Sequence, residues 1–135
     1  MGNNDPAAVI FASDLTFRVW KYGIGHSQLL LRSASDESEG EGVDILFEGV
    51  AAMRLAMRYE ALQLRSVDEE EFREVFDSSG VDEKWRDSFV IVRLSSRSGE
   101  GYVQCARITA ERRHVQSGSG RDPDGLRDLL WSLGP

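Results

Sequence analysis

Residues 88–95 read SFVIVRLS, and residues 89–92 within them form an unbroken apolar run. A strand with one face in water alternates apolar and polar residues, whereas a continuous apolar run is typical of a strand buried on both faces. This stretch therefore predicts the central strand of a sheet. A polar turn follows at residues 96–101 (SRSGEG), and residues 102–112 (YVQCARITAER) then alternate as the next strand.

Alternation on the N-terminal side predicts the other strands. Four segments share this pattern: residues 16–22, 27–33, 43–50 and 61–67. The first two flank Gly23, Ile24 and Gly25 and are predicted to form a hairpin, while Gly49 predicts a bulge or bend. Residues 51–58 (AAMRLAMR) have helical propensity but also alternate. We assign them to a strand because strands flank them, and helix is the alternative.

Local signals predict two helices. Asp68 is a candidate N-cap with Glu71 three positions later, and Gly80 is a candidate C-terminal stop. A second helix is predicted at residues 122–133, because Asp122 and Pro123 are typical of a helix start. Its predicted core-facing stripe, spaced i, i+3, i+4 and i+7, consists of Leu126, Leu129, Leu130 and Leu133.

The sequence therefore predicts one α+β domain over residues 1–135. We expect a curved, mostly antiparallel sheet or incomplete barrel of about seven strands, with one middle helix and one C-terminal helix. Within it, residues 1–13 are predicted to be flexible and residues 14–116 to hold the sheet and the middle helix. Residues 117–121, which include SGSG, are predicted to be a linker before the C-terminal helix at 122–133.

Composition excludes several classes of function. The chain has 135 residues, 41% of them hydrophobic, and a net charge of −7, which disfavours nucleic acid as a partner. Cys105 is the single cysteine, so a disulfide framework is excluded. No export signal or apolar stretch of membrane-spanning length is present, and we expect a cytoplasmic protein that does not bind membranes.

Candidate catalytic residues are few. His26 follows the hairpin turn, and His114 lies far from it in sequence. Cys105 falls in the middle of a predicted strand, where a free cysteine usually behaves as a small core residue. No nucleophile and base, and no carboxylate pair, have the spacing of an active site. We therefore predict a protein that is not an enzyme, with no cofactor and no metal, and leave open whether His26 has a role.

Acidic clusters are the candidate binding residues. One lies in a predicted loop and the other on the middle helix: Asp36, Glu37, Glu39 and Glu41, and Glu70, Glu71 and Glu74. Such clusters attract a basic partner and raise its association rate. The alternative is that they only keep a loop solvated and match the positive end of a helix.

Three stretches carry a family resemblance: residues 26–33 (HSQLLLRS), 43–55 (VDILFEGVAAMRL) and 89–111 (FVIVRLSSRSGEGYVQCARITAE). Their order resembles small bacterial immunity proteins of polymorphic toxin systems, of the mostly antiparallel type. In that pattern an apolar strand opens with a His-Asp pair, whereas here Ser27 follows His26. The resemblance implies a bacterial, cytoplasmic, protein-binding domain and transfers no catalytic residue.

Two functions follow as expectations. The favoured one is an immunity protein that neutralises a basic toxin through its acidic surface. The alternative is a sheet domain that binds a small molecule or lipid in an apolar pocket under the C-terminal helix, lined by Trp20, Trp85 and Trp131. A hydrolase is a distant third. The sequence leaves the oligomeric state open.

Overall fold

The computed structural model describes residues 8–33, 42–114 and 126–135. In this part of the chain one α-helix, α1 (Glu69–Ser79), and two 3-10 helices, Ile24–His26 and Glu83–Ser88, accompany eleven strands. The strands are β1 (Val9–Ala12), β2 (Thr16–Gly23), β3 (Gln28–Ser33), β4 (Gly42–Glu48), β5 (Ala52–Arg54), β6 (Arg58–Glu60), β7 (Gln63–Ser66), β8 (Val90–Ser95), β9 (Glu100–Cys105), β10 (Arg107–His114) and β11 (Leu126–Leu133).

Two antiparallel sheets form the fold. The first, sheet A, has the strand order β1-β7-β8-β9-β5, and the second, sheet B, has the order β11-β10-β4-β3-β2-β6. The mostly antiparallel α+β prediction is confirmed, although the sheets do not close into a barrel. The strand number exceeds the predicted seven for two reasons: two predicted strands, at 51–58 and 102–112, are each divided between the two sheets, and β1 and β11 form where no strand was predicted.

The main core lies between the sheets. It is built from the inward residues of both, including the fully buried Phe17, Phe47, Tyr59 and Leu94. Side chains alternate across a strand, so every second residue of β3 and β8 enters this layer. Trp131 of β11 and Phe11 of β1 meet with ring centroids 6.1 Å apart, which connects an edge of sheet B to an edge of sheet A.

β8 is the central strand of sheet A, as predicted. Val92 and Leu94 face the main core, whereas Ile91 faces the other way and joins a second apolar cluster with Val75 and Phe76 of α1. The apolar run at residues 89–92 therefore has a simple cause. One face of β8 packs on sheet B and the other on the helix.

Paired strands cross together from one sheet to the other at two corners. At the first, β4 and β5 run beside β10 and β9, and the backbone bends at Gly49 and Ala106. Gly49 has a φ of +66°, and a Cβ there would lie 2.9 Å from that of Ala106, so glycine fits this bend best. The predicted strand at 102–112 is therefore two strands, β9 and β10, in different sheets.

The second corner has the same design. Here β1 and β2 run beside β7 and β6, and Ala61 bends the chain with a φ of +58°. The Ala61 N–H donates to the Leu15 carbonyl (3.2 Å), and the Ser13 N–H donates to the Leu62 carbonyl (3.0 Å). We call these two bent, paired segments the first ribbon and the second ribbon.

The middle helix begins and ends where predicted. The Asp68 side chain accepts a hydrogen bond from the Glu71 N–H (2.7 Å), which satisfies one of the free donors at the start of α1. Gly80 closes the helix in the left-handed conformation. Three acidic residues occupy the first turn, where the helix dipole favours them.

The predicted C-terminal helix is wrong. Residues 126–133 form β11, which pairs antiparallel with β10 along the edge of sheet B. Trp131 and Leu133 point into the core, whereas Leu129, predicted to be buried, is 64% exposed. A strand is more stable here because it pairs with the backbone of β10, which would otherwise be an unpaired edge of sheet B. Residues two apart on this strand, Trp131 and Leu133, then point into the core between the sheets.

Two other boundary predictions need correction. Residues 1–13 were expected to be flexible, but Val9–Ala12 forms β1 and pairs with β7. Residues 51–58 contain the short strand β5 and the first residue of β6, so the strand assignment is confirmed only for part of the segment. Residues 1–7 and the predicted linker at 117–121 lie outside the described residues.

Candidate binding surface

Residues 68–88 form a layer on the outer face of sheet A, which we call the helical layer. It contains α1 and the 3-10 helix Glu83–Ser88. Val75 and Phe76 pack on Ile91 of β8, with Phe72 and Phe89 around them. The apolar stripe of α1 thus fixes the helix on the sheet and turns its charged residues outward.

Ion pairs fasten the 3-10 helix to α1. Arg73 donates to Glu83 (2.7 Å) and to Asp77 (3.2 Å), and Arg86 pairs with Glu69. Hydrogen bonding from Arg73 lowers the pKa of Glu83 below its usual value. The Arg86 guanidinium also lies 4.6 Å from the centre of the Phe72 ring. The two helices therefore form one surface.

This surface carries most of the net charge of the protein. Residues 68–88 contain nine acidic and three basic residues, a net charge of −6 out of −7 for the whole chain. The carboxylates of Glu70, Glu74 and Asp87 form no hydrogen bond or ion pair with any described residue, and all three are exposed. Trp85 lies in the same layer and is 52% exposed, with Lys84 5.4 Å from the centre of its ring.

The acidic residues predicted from the sequence to bind a partner differ in exposure and in pairing. Glu70 and Glu74 lie one turn apart on the exposed side of α1. Glu71 is partly buried and pairs with Arg93 of β8, so its charge is already matched within the protein. The loop residues lie outside the described part of the chain: Asp36, Glu37, Glu39 and Glu41.

A charged cleft of about 250 Å³ opens beside the start of α1. Its floor is a cross-strand row on the outer face of sheet A, in which Arg93 of β8 lies opposite Tyr102 of β9, and Tyr102 lies opposite Arg54 of β5. Glu71 and Glu100 complete its charged wall. Two arginines, two glutamates and a tyrosine therefore meet in one small space.

The arginines of this cleft differ in their surroundings. Arg93 donates to both carboxylate oxygens of Glu71, and this hydrogen bonding raises its pKa. Arg54 donates to no described side chain and is exposed. Gly101 lies beneath them, and a Cβ there would be 2.2 Å from the Arg54 carbonyl oxygen, so only glycine permits this approach of β5 to β9.

A second ionic cluster lies on the outer face of sheet B. Asp44 of β4 is 4% exposed and accepts two hydrogen bonds from Arg32, at 2.9 and 3.0 Å. Arg113 of β10 donates to the same carboxylate at 2.8 Å and also to the Ser33 carbonyl. Trp20 stacks on this cluster, 5.1 Å from the Arg32 guanidinium. This arrangement buries charge in a structural network.

Cys105 and His26 form no metal-ligand group with other residues that the structure describes. Cys105 is buried, and burial raises its thiol pKa to about 12, which confirms it as a core residue. His26 ends the first 3-10 helix and is exposed. Within residues 8–33, 42–114 and 126–135, no three histidine, cysteine, aspartate or glutamate side chains group as metal ligands do.

The three tryptophans make separate contacts. Trp20 stacks on Arg32, Trp85 lies beneath the Lys84 ammonium, and Trp131 packs beside Phe11. They therefore do not line one common pocket.

No helix in the described segments has the length and apolar character to cross a membrane. No known family model, characterised protein or solved structure matches the chain.

Sequence reasoning missed the cleft. One signal was present, since Arg93 interrupts the strongly apolar stretch SFVIVRLS. The helix that covers this face of the sheet brings Glu71 to Arg93, and the two form a partly exposed ion pair. Arg54, Glu100 and Tyr102 gave no such signal, because their proximity depends on the register of three strands.

Proposed function

We propose that this protein is a binding protein whose helical layer captures a basic protein. The observation that carries the proposal is the concentration of charge, with a net −6 in residues 68–88 and an exposed tryptophan within them. Unmatched carboxylates raise the association rate of an oppositely charged partner, and exposed tryptophans are enriched among residues that dominate binding energy.

The resemblance to immunity proteins suggests that this partner is a toxin. A nuclease toxin binds phosphate backbones and is therefore basic, which makes it complementary to the helical layer. In this proposal Glu70 and Glu74 guide the encounter and Trp85 supplies the central apolar contact. Neutralisation requires only that the bound protein covers the basic surface of the toxin, so no catalytic residue is needed.

The test is a charge reversal with a matched control. Glu70→Lys and Asp14→Lys change the net charge equally, but Asp14 is exposed at the second corner, outside the helical layer. Immobilised wild-type protein is used to capture partners from a lysate of its source organism, and association rates with the captured partner are then measured. We expect Glu70→Lys to slow association about tenfold at low salt, within the range of electrostatic steering, whereas Asp14→Lys has little effect.

Trp85→Ala should instead increase the dissociation rate, because contact residues act mainly on that step. If the partner is a nuclease toxin, an equimolar amount of wild-type protein should abolish its nuclease activity. An acidic partner, or equal association rates for the two lysine variants, would contradict the proposal.

A further inference from the structure

The charged cleft beside α1 contains three polar groups without a side-chain hydrogen bond to any described residue, although the Glu100 charge also acts on Arg93. Arg93 and Glu71 neutralise each other through two hydrogen bonds. What remains is the Arg54 guanidinium, the Glu100 carboxylate and the Tyr102 hydroxyl, none of which forms a side-chain hydrogen bond with a described residue. The cleft therefore presents one positive group, one negative group and one neutral donor.

The strand register fixes how these groups are arranged. Arg54 and Tyr102 face each other across β5 and β9, and Glu100 lies two residues before Tyr102 on the same face of β9. Opposite residues of adjacent strands are about 5 Å apart between Cβ atoms, and diagonal ones are about 7–8 Å apart. The Arg54 guanidinium and the Glu100 carboxylate thus flank the tyrosine at the spacing of a small molecule.

We propose that this cleft binds a free α-amino acid as its zwitterion. The ligand carboxylate accepts hydrogen bonds from the Arg54 guanidinium and the Tyr102 hydroxyl, and the ligand ammonium donates to Glu100. Arginine is suited to the first contact because its planar guanidinium matches a carboxylate with two parallel hydrogen bonds.

The size of the cleft agrees with this class of ligand. Its volume of about 250 Å³ is below the roughly 300–1,000 Å³ that is usual for drug-sized molecules. The cleft has two arginines and two glutamates, so its positive and negative charges are equal in number. An anion such as phosphate would therefore be repelled by Glu71 and Glu100 as well as attracted by the arginines. A ligand with both charges satisfies the two free groups at once and leaves the Arg93–Glu71 pair intact.

Glu71 of the helical layer lines the cleft, but neither Glu70 nor Glu74 does, so separate variants test the two proposals. The probes are single L-amino acids, each compared with its N-acetyl and its C-terminal amide derivative by isothermal titration calorimetry. We expect at least one amino acid to bind and both of its derivatives to bind at least about tenfold more weakly, since each lacks one charge.

Variants identify the groups responsible. Arg54→Gln and Glu100→Gln should each weaken binding at least about tenfold, while Arg97→Gln, at an exposed arginine outside the cleft, should leave it unchanged. Circular dichroism and thermal unfolding confirm that each variant folds. The proposal is overturned if no amino acid binds, if the derivatives bind equally well, if inorganic phosphate binds in their place, or if Arg54→Gln retains wild-type affinity.

Discussion

Asp44 and the acids of the helical layer show two opposite uses of negative charge. Asp44 is almost fully buried and receives hydrogen bonds from two arginines. Glu70 and Glu74 are exposed and match no described positive group. A buried charge without partners costs several kcal/mol, whereas an exposed one costs little. The comparison indicates that the first region serves folding and that the second is available for binding.

The largest expected effect is at Asp44. Asp44→Ala leaves Arg32 and Arg113 without their shared carboxylate, and removal of one member of a buried ion pair typically costs about 3–5 kcal/mol. Urea unfolding should show this loss in the free energy of unfolding. Asp14→Ala, at an exposed aspartate, is the matched control and should stay within about 0.5 kcal/mol of wild type. A loss below about 1 kcal/mol for Asp44→Ala would contradict the assigned role.

A smaller effect is expected at the start of α1. Asp68→Ala removes the side-chain acceptor for the Glu71 N–H and should cost about 0.5–2 kcal/mol. Asp68→Asn retains a capping oxygen and is expected to be close to wild type. Equal losses for the two variants, measured by the same urea titration, would show that charge matters here more than capping.

The smallest effects on stability are expected for two neighbouring glutamates of α1, one paired and one unpaired. Glu71→Gln weakens a partly exposed pair with Arg93 and should cost about 0.2–1 kcal/mol. Glu70→Gln should leave stability within about 0.5 kcal/mol of wild type. High salt should reduce the difference between the two, because screening acts on the exposed part of the pair. If Glu70→Gln were the more destabilising variant, the division between folding and binding acids would fail.

The middle helix could be predicted because its signals are local. Asp68, Glu71 and Gly80 act within a few residues of one another, and the structure uses each as expected. The segment Leu126–Leu133 could not be assigned in this way. Its leucines fit a helical period, while Trp131 and Leu133 fit a strand period, and short apolar stretches are ambiguous between the two. The unpaired edge of β10, a distant part of the sequence, decides the outcome.

The candidate surfaces also divide into one that local sequence predicts and one that depends on distant strand pairing. Glu70 and Glu74 were recognised because charge and helical spacing are visible in the sequence. The cleft was not recognised, because Arg54 and Tyr102 are paired by a register between strands 48 positions apart. Nothing local indicates which of the many arginines will lie opposite a given tyrosine. Predicting such a site requires the sheet order as well as the strands.

The two ribbons have a consequence for the order of events in folding. Each ribbon belongs to both sheets, so neither sheet can be completed while the other is still unformed. β1 must find β7, and β4 must find β10, across long intervening stretches of chain. Closing such loops before their contacts form is slow, and folds dominated by distant pairings typically need milliseconds to seconds. Backbone amides on both sides of each corner should therefore become protected from hydrogen exchange at the same moment.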